Sequence, residues 1–319
     1  MASRLEIENT DHKLAIVGCG NIGSRLLQSA AAAKIAELTV YGVEPYEPAR
    51  EISAERFAQI DGPDGTPHTL RMVGAVDQLP PKVSLLIIAC SAHQRMGALS
   101  SALEHTKPKA VLLEKVLFTR TSDYSRAETM LDGIPTWINT TRNIWPGYLK
   151  LKDILTNDPV ILNVTGSDWS LASNAIHFLS LIETLANAPV TELTLSDTVA
   201  RDSKRVGYRD LTGTMQAELS DGSRATLTSS AGEDNPMSIK LSQSGREYTL
   251  DEGNGTMNGE PFETLFTSQL GGAITHMLSH RTSDLPTLRD SSRLHRLYLD
   301  ALRPHIHPRD PYGDICMVT

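Results

Sequence analysis

The stretch Gly18-Cys19-Gly20-Asn21-Ile22-Gly23 decides the fold. Ahead of it, Lys13-Leu14-Ala15-Ile16-Val17 is a short apolar run, the pattern of a buried parallel strand. Behind it, Ser24 to Ala33 consists mostly of good helix formers. Glu37 to Val43 reads as a second strand that ends at Glu44. Strand, glycine turn, helix, strand, acid is the order a bound dinucleotide requires. Gly18 makes the tight turn, Gly20 lets the backbone approach a pyrophosphate, and Gly23 lets the helix pack close to the strand. The helix N-terminus at Asn21 and Ile22 turns N–H groups and a positive dipole end toward the diphosphate. Glu44 falls near the expected spacing of about 20 residues for the carboxylate that binds the ribose hydroxyls. Such a carboxylate repels a 2′-phosphate, so the motif predicts NAD rather than NADP. Arg50 is the nearby cation an NADP site would use.

Outward from this motif the first half alternates strand and helix. Helices are expected over 50–60, 94–105 and 122–131. Strands are expected over 68–73, 83–89, 110–114 and 135–139. Such alternation implies a parallel sheet wound on both faces. Near Ile144-Trp145-Pro146-Gly147 the pattern changes. A strand at 160–164 and a helix at 171–185 precede a run of strands, 190–196, 212–219, 223–229, 237–242 and 247–250. Asp221-Gly222 is a hairpin signal within that run. Helices over 261–281 and 288–302 close the chain. The expected architecture is an α/β Rossmann domain, residues 1–145, followed by an α+β domain, residues 146–319, with a mainly antiparallel open-faced sheet. A broad sheet face left open by its helices predicts apolar surface, and hence a homodimer or homotetramer through that sheet.

At 319 residues the chain is long for a single core. Its formal net charge of −8, with lysines and arginines scattered, argues against nucleic acid as a partner. Cys19, Cys90 and Cys316 are far apart and show no zinc spacing, so no metal site is expected, and their odd number suits a reducing compartment. Met1 to Asp11 is polar and charged, unlike a signal peptide, and no apolar run reaches the ~20 residues of a membrane span. A cytoplasmic protein without a membrane partner is the expectation.

An enzyme that uses nicotinamide needs a proton relay near the strand C-termini. Lys115, beside Glu114, directly follows the fifth strand. Its ammonium can polarise a carbonyl or exchange a proton with a hydroxyl, and Glu114 can orient it. A solvated Glu-Lys pair is the plainer reading. His177 lies on a helix with Ser173 and Asn174 on its face, and a histidine so placed serves either as acid-base or as a packed core residue.

Glu114-Lys115-Val116-Leu117 resembles the E-K-P-L motif of the glucose-fructose oxidoreductase and inositol dehydrogenase family, the Gfo/Idh/MocA group. Ile87-Ile88-Ala89-Cys90-Ser91-Ala92-His93 is similar to its apolar strand, small-residue turn and histidine. Asn139 to Pro146 is similar to its N-R-R-F-x-P crossing, Trp169 to His177 to the segment ending D-x-G-x-H, and Leu285-Pro286-Thr287-Leu288 to its L-P-T-L. The resemblance implies a lysine at Lys115 touching substrate and nicotinamide, an acid-base histidine at His177, and Ser91 and His93 near the cofactor. It also implies Arg142 at the substrate or cofactor, with a structural salt bridge as the equal alternative. Two positions depart from the family pattern. Val116 replaces the proline, and Ser173 replaces the aspartate four residues before the histidine. Asp168 and Asn174 are the polar groups left to partner the histidine or substrate. Trp169 to Phe178 and Cys316-Met317-Val318-Thr319 also resemble members acting on sugars of bacterial surface polysaccharides. The implied activity is hydride transfer between NAD and a hydroxyl of a sugar, amino-sugar or cyclitol. A cofactor-binding sensor without turnover is the alternative, favoured by Ser173.

Overall fold

The computed structural model describes residues 12–62, 65, 68–232 and 235–319. The leading stretch weighed above as a signal peptide lies outside them. In chain order the elements begin with β1 (His12–Val17), α1 (Asn21–Ala31), β2 (Leu38–Val43), α2 (Glu47–Ala58), β3 (Thr69–Val73), β4 (Lys82–Val83) and β5 (Leu85–Ile88). Then come α3 (Ala92–His105), β6 (Lys107–Pro108), β7 (Val111–Leu113), α4 (Thr121–Met130), β8 (Thr136–Ile138), α5 (Pro146–Ile154), β9 (Ile161–Ser167) and α6 (Leu171–Ala186). The rest are β10 (Val190–Asp202), β11 (Arg209–Leu219), β12 (Arg224–Ser230), β13 (Ser238–Gln243), β14 (Arg246–Asp251), β15 (Thr256–Met257), β16 (Glu260–Pro261), α7 (Gly271–His280) and α8 (Leu288–Ile306).

The chain forms two compact units. The first holds residues up to Leu113, 133–136 and 266–283; the second holds 114–132, 137–265 and 284–319. Neither is one contiguous stretch, unlike the division expected at residue 145. Lys115 falls in the second unit although it directly follows a strand of the first.

The first unit is built on a sheet of order β3-β2-β1-β5-β7-β8, whose pairs β1–β2, β2–β3, β1–β5 and β5–β7 are parallel. Leu14, Ile16, Leu85 and Ile87 are fully buried, because both faces of such a sheet are covered. The Ser29 hydroxyl donates to the Thr267 carbonyl at 2.6 Å, and a Cβ on Gly271 would meet the Ala32 carbonyl at 2.9 Å. Residues 266–283 thus clip the far end of α1 although they come late in the chain.

The second unit is built on an eight-stranded sheet of order β10-β11-β12-β9-β13-β14-β15-β16. All its pairs are antiparallel except β12–β9. Helices α6 and α8 pack on one face. Ala175, Ile176, Phe178, Leu179, Leu181 and Ile182 of α6 are all fully buried. Each such Leu, Ile or Phe contributes about 1.5–3 kcal/mol, so packing rather than propensity holds the helix.

The opposite face corrects an expectation. Its registered rows read Ser196-Thr214-Thr228-Thr165-Ser238, Thr194-Gln216-Thr226-Asn163-Lys240 and Glu192-Glu218-Arg224-Ile161-Ser242. Ile161 is the single large apolar side chain in them. The open face is polar, and apolar burial gives no reason for assembly through it.

Three element readings also change. The helix expected over 261–281 is an α-helix only from Gly271; Pro261 pairs in β16. Helix α5 was not anticipated. Strand β10 continues past Ser196 to Asp202 through a register shift between Ser196 and Val199, with Asp197 at φ 53°.

Candidate functional site

In the first unit the glycine motif lies between β1 and α1. Gly18 has φ +90°, and a Cβ there would meet the Cys90 nitrogen at 2.7 Å. A Cβ on Gly23 would fall 1.9 Å from the Gly18 carbonyl oxygen, so turn and helix lock by direct backbone contact. A Cβ on Gly20 would meet nothing within 4 Å. Gly20 also ends α1, and no side chain caps that helix or places an acid in its first turn. An open glycine at an uncapped helix N-terminus is the cradle a diphosphate needs, and the residues present fit one. Half-buried Glu44 sits just past β2, where its Oε1 accepts from the Tyr46 N–H at 3.1 Å. Arg50 gives Nη1 to the carbonyls of Glu44 and Pro45 at 2.8 and 2.9 Å. Its guanidinium is occupied by main chain. Burial raises the Cys19 thiol far above its usual range, with the charge of Glu44 adding to the effect. Cys19 is therefore a packing residue inside the turn. Ser91 precedes α3 and its hydroxyl donates to Gln94 Oε1 at 3.0 Å; exposed His93 lies in the first turn of α3.

In the second unit Lys115 and the first turn of α6 meet. Lys115 Nζ donates to the Ser173 carbonyl at 3.0 Å. Ser173 lies one helical turn before His177, so ammonium and imidazole address the same stretch of α6. That turn is held from several sides. Buried Asp210 accepts from the Ala172 N–H at 3.0 Å, and the Tyr298 hydroxyl donates to the carbonyls of Leu171 and Ala172 at 3.1 and 3.0 Å. Asn174 Nδ2 donates to the Trp169 carbonyl at 2.7 Å. Glu114 is buried and accepts from Asn139 Nδ2.

His177 is half-buried, and its Nδ1 is buried with no hydrogen-bond partner among the described residues. Burial first, then the charges of Lys115, Arg142 and His295, hold its pKa well below 6.5. The imidazole is neutral at physiological pH. Asp168, weighed as its anionic partner, is exposed and pairs with Arg201, which also reaches Asp210 at 3.3 Å. Arg142 packs on α6, with its guanidinium carbon 4.3 Å from the Phe178 ring centre. Its Nε and Nη2 grip Glu252 at 2.6 and 2.5 Å. The Tyr148 hydroxyl donates to the same carboxylate at 2.6 Å. Burial and Glu252 push the Tyr148 phenol well above its usual range, so it stays a donor.

No protein-family model and no curated protein matches the sequence. Solved structures do. UDP-N-acetylglucosamine 3-dehydrogenase GnnA from Acidithiobacillus ferrooxidans is similar at TM-score 0.68 over 93% of this chain and 98% of its own, with 17% sequence identity. An oxidoreductase from Agrobacterium radiobacter, crystallised with NAD+, L-tartaric acid and magnesium, gives 0.69 over 93% and 97% at 14% identity. A myo-inositol dehydrogenase from Lactobacillus casei, crystallised with NAD(H) and myo-inositol, gives 0.64 over 91% and 93% at 13% identity. This chain has their fold. It is the two-part fold that the E-K-x-L and glycine motifs imply.

Sequence reasoning missed Glu252, Tyr148 and Asp210. Glu252 follows β14 in a turn, 110 residues from the arginine it holds, and no local motif announces it. Asp210 caps α6 from a strand 38 residues away. Among the described residues no group of three or more His, Cys, Asp or Glu is arranged to hold a metal ion, and no helix is long and apolar enough to cross a membrane.

Proposed function

We propose that the protein is an NAD-dependent oxidoreductase acting on a secondary hydroxyl of a sugar, amino-sugar or cyclitol, or on the matching ketone. The observation that carries the reading is Lys115 Nζ on the Ser173 carbonyl, one turn ahead of an imidazole kept neutral. A bound nicotinamide supplies the hydride acceptor or donor. The residues supply the rest. Gly18, Gly20 and Gly23 hold the diphosphate with the N–H groups of Asn21 and Ile22, and Glu44 takes the ribose hydroxyls. Ser91 and His93 line the cofactor site. Lys115 donates a hydrogen bond to the reacting oxygen and stabilises the negative charge that grows there. Neutral His177 takes the hydroxyl proton in oxidation and returns it in reduction. Asn174, Asp168 and Arg142 orient the remaining hydroxyls.

The similar structures include a UDP-N-acetylglucosamine 3-dehydrogenase and a myo-inositol dehydrogenase crystallised with myo-inositol, which supports a polyhydroxylated ring as the substrate class. The reading without turnover is the weaker one, because a binding module needs no neutral base beside an ammonium. Fluorescence titration of both dinucleotides tests the cofactor. NADH is expected to bind at least about tenfold more tightly than NADPH, the scale of one uncompensated charge contact. Tighter NADPH overturns the role of Glu44, and binding of neither overturns the proposal.

Assembly as a homodimer or homotetramer through the open sheet face belongs to the same proposal, with hydroxyl and amide rows in contact instead of apolar ones. Light scattering is expected to show a dimer or tetramer at micromolar concentration, and a monomer there overturns it.

A further inference from the structure

We propose that His307 is a pH-sensitive latch whose strap, Asp314–Thr319, holds the loop that carries Lys115. The proposal rests on the catalytic reading of Lys115 for its purpose but not for its test.

The strap is tied to the loop by main chain. The Cys316 N–H donates to the Thr119 carbonyl at 2.7 Å, and the Thr121 N–H donates to the Asp314 carbonyl at 3.1 Å. Thr119 is four residues past Lys115. On its other side the strap is held by Arg209, whose N–H donates to the Met317 carbonyl at 2.8 Å. Cys316 and Val318 of the strap are fully buried. One tie is unlike the others: the Met317 N–H donates to His307 Nε2 at 3.1 Å. A ring nitrogen accepts a hydrogen bond only while it carries no proton. Protonated His307 would turn a second N–H against that of Met317, and the tie becomes a repulsion.

The groups that face this imidazole are Asp310 on its own loop, Arg303 on α8 and Arg209 on β11. Partial burial and the two arginines favour the neutral ring, and Asp310 opposes them; the balance holds the pKa below 6.5. The sign follows. A proton binds more tightly to the released ring than to the latched one. The latch is therefore complete above pH 6.5 and weakens as pH falls from there toward the latched pKa.

Cys316 reports release, since burial keeps its thiol inert and pushed up to about 12. The full chain is treated with 4,4′-dithiodipyridine from pH 8 to 5. Peptide mass spectrometry reads Cys316 alone, and each rate is divided by that of the urea-unfolded chain at the same pH. Protection of Cys316 is expected to be constant above about pH 6.5 and to fall up to tenfold per pH unit below it. His307→Gln supplies an amide oxygen that accepts at every pH, so its protection is expected to stay high and level. His307→Phe has no acceptor and is expected to leave Cys316 reactive throughout. A level profile in the wild type overturns the latch, as does an unchanged slope in His307→Gln. If His307→Gln does not fold, exchange of the Met317 amide in the wild type decides: protection that does not fall below pH 6.5 overturns it. Hydrogen exchange of residues 114–121 in the same series tests the link to Lys115. It is expected to rise in step with Cys316, and a loop that stays protected while Cys316 opens overturns that link. Neither readout uses cofactor or substrate, so loss of the dehydrogenase reading leaves both interpretable.

Discussion

Replacing Lys115 with methionine is expected to lower turnover by roughly 10³-fold or more while leaving NADH affinity nearly unchanged. Methionine keeps the length and much of the volume of the lysine stem, so the loop after β7 keeps its packing. What disappears is the ammonium, with its donors to the Ser173 carbonyl and to the reacting oxygen. The diphosphate cradle is proposed at Gly18, Gly20 and the start of α1, which belong to the first unit, whereas Lys115 belongs to the second. Binding and chemistry should therefore separate. The measurement pairs NADH fluorescence titration with steady-state rates on the sugar or cyclitol that turns over fastest in the wild type. A variant with wild-type kcat would assign the oxygen to another donor. Equal loss of NADH binding would show that Lys115 belongs to the cofactor site and not to the reaction.

The glycine motif was legible because its meaning is local. Gly18 and Gly23 are fixed by contacts with Cys90 and with each other, and no side chain other than hydrogen fits. Helix α6 was legible from its apolar face, and so was the lysine at the end of β7. What failed depends on distant partners or on punctuation read the wrong way. Around Pro146 the sequence showed only a change of pattern, and the proline stands at the first position of α5, where its missing N–H costs nothing. Phe262, Phe266 and Leu270 mimic a helical stripe, yet the Phe262 ring instead stacks edge-on with Tyr148 at 4.9 Å while Pro261 pairs in β16. The open sheet face was expected to be apolar because sheets bury one face; the threonine rows show the second face built for water or a polar partner. Arg142 was singled out by the resemblance, but its partners Glu252 and Tyr148 had no sequence signal, since each alone is ordinary.

The pH behaviour of the proposed reaction is expected to follow His177. Replacing it with alanine is expected to cost roughly 10²–10⁴-fold in rate. Without a carboxylate at Ser173, the sequence predicts a pKa near or below 6.5. The direction agrees, but burial is the first cause and the neighbouring cations add to it. Only neutral imidazole accepts a proton. Alcohol oxidation should therefore hold its rate as pH falls to 6.5 and lose it only well below. Ketone reduction needs the imidazolium and should climb over that same acidic range. Folding stability follows the depressed pKa: the contribution of His177 is fully present above 6.5 and is lost as pH falls from there toward the folded value. Ser173→Asp places a charge one turn away and is expected to move the acid limb of oxidation upward by about one pH unit. Rates in both directions across pH, for wild type, His177→Ala and Ser173→Asp, make the test. An acid limb above 6.5 in the wild type contradicts the buried neutral base. Full activity in His177→Ala would leave the proton to Lys115 or to water, and His177 would then be a packed residue of α6.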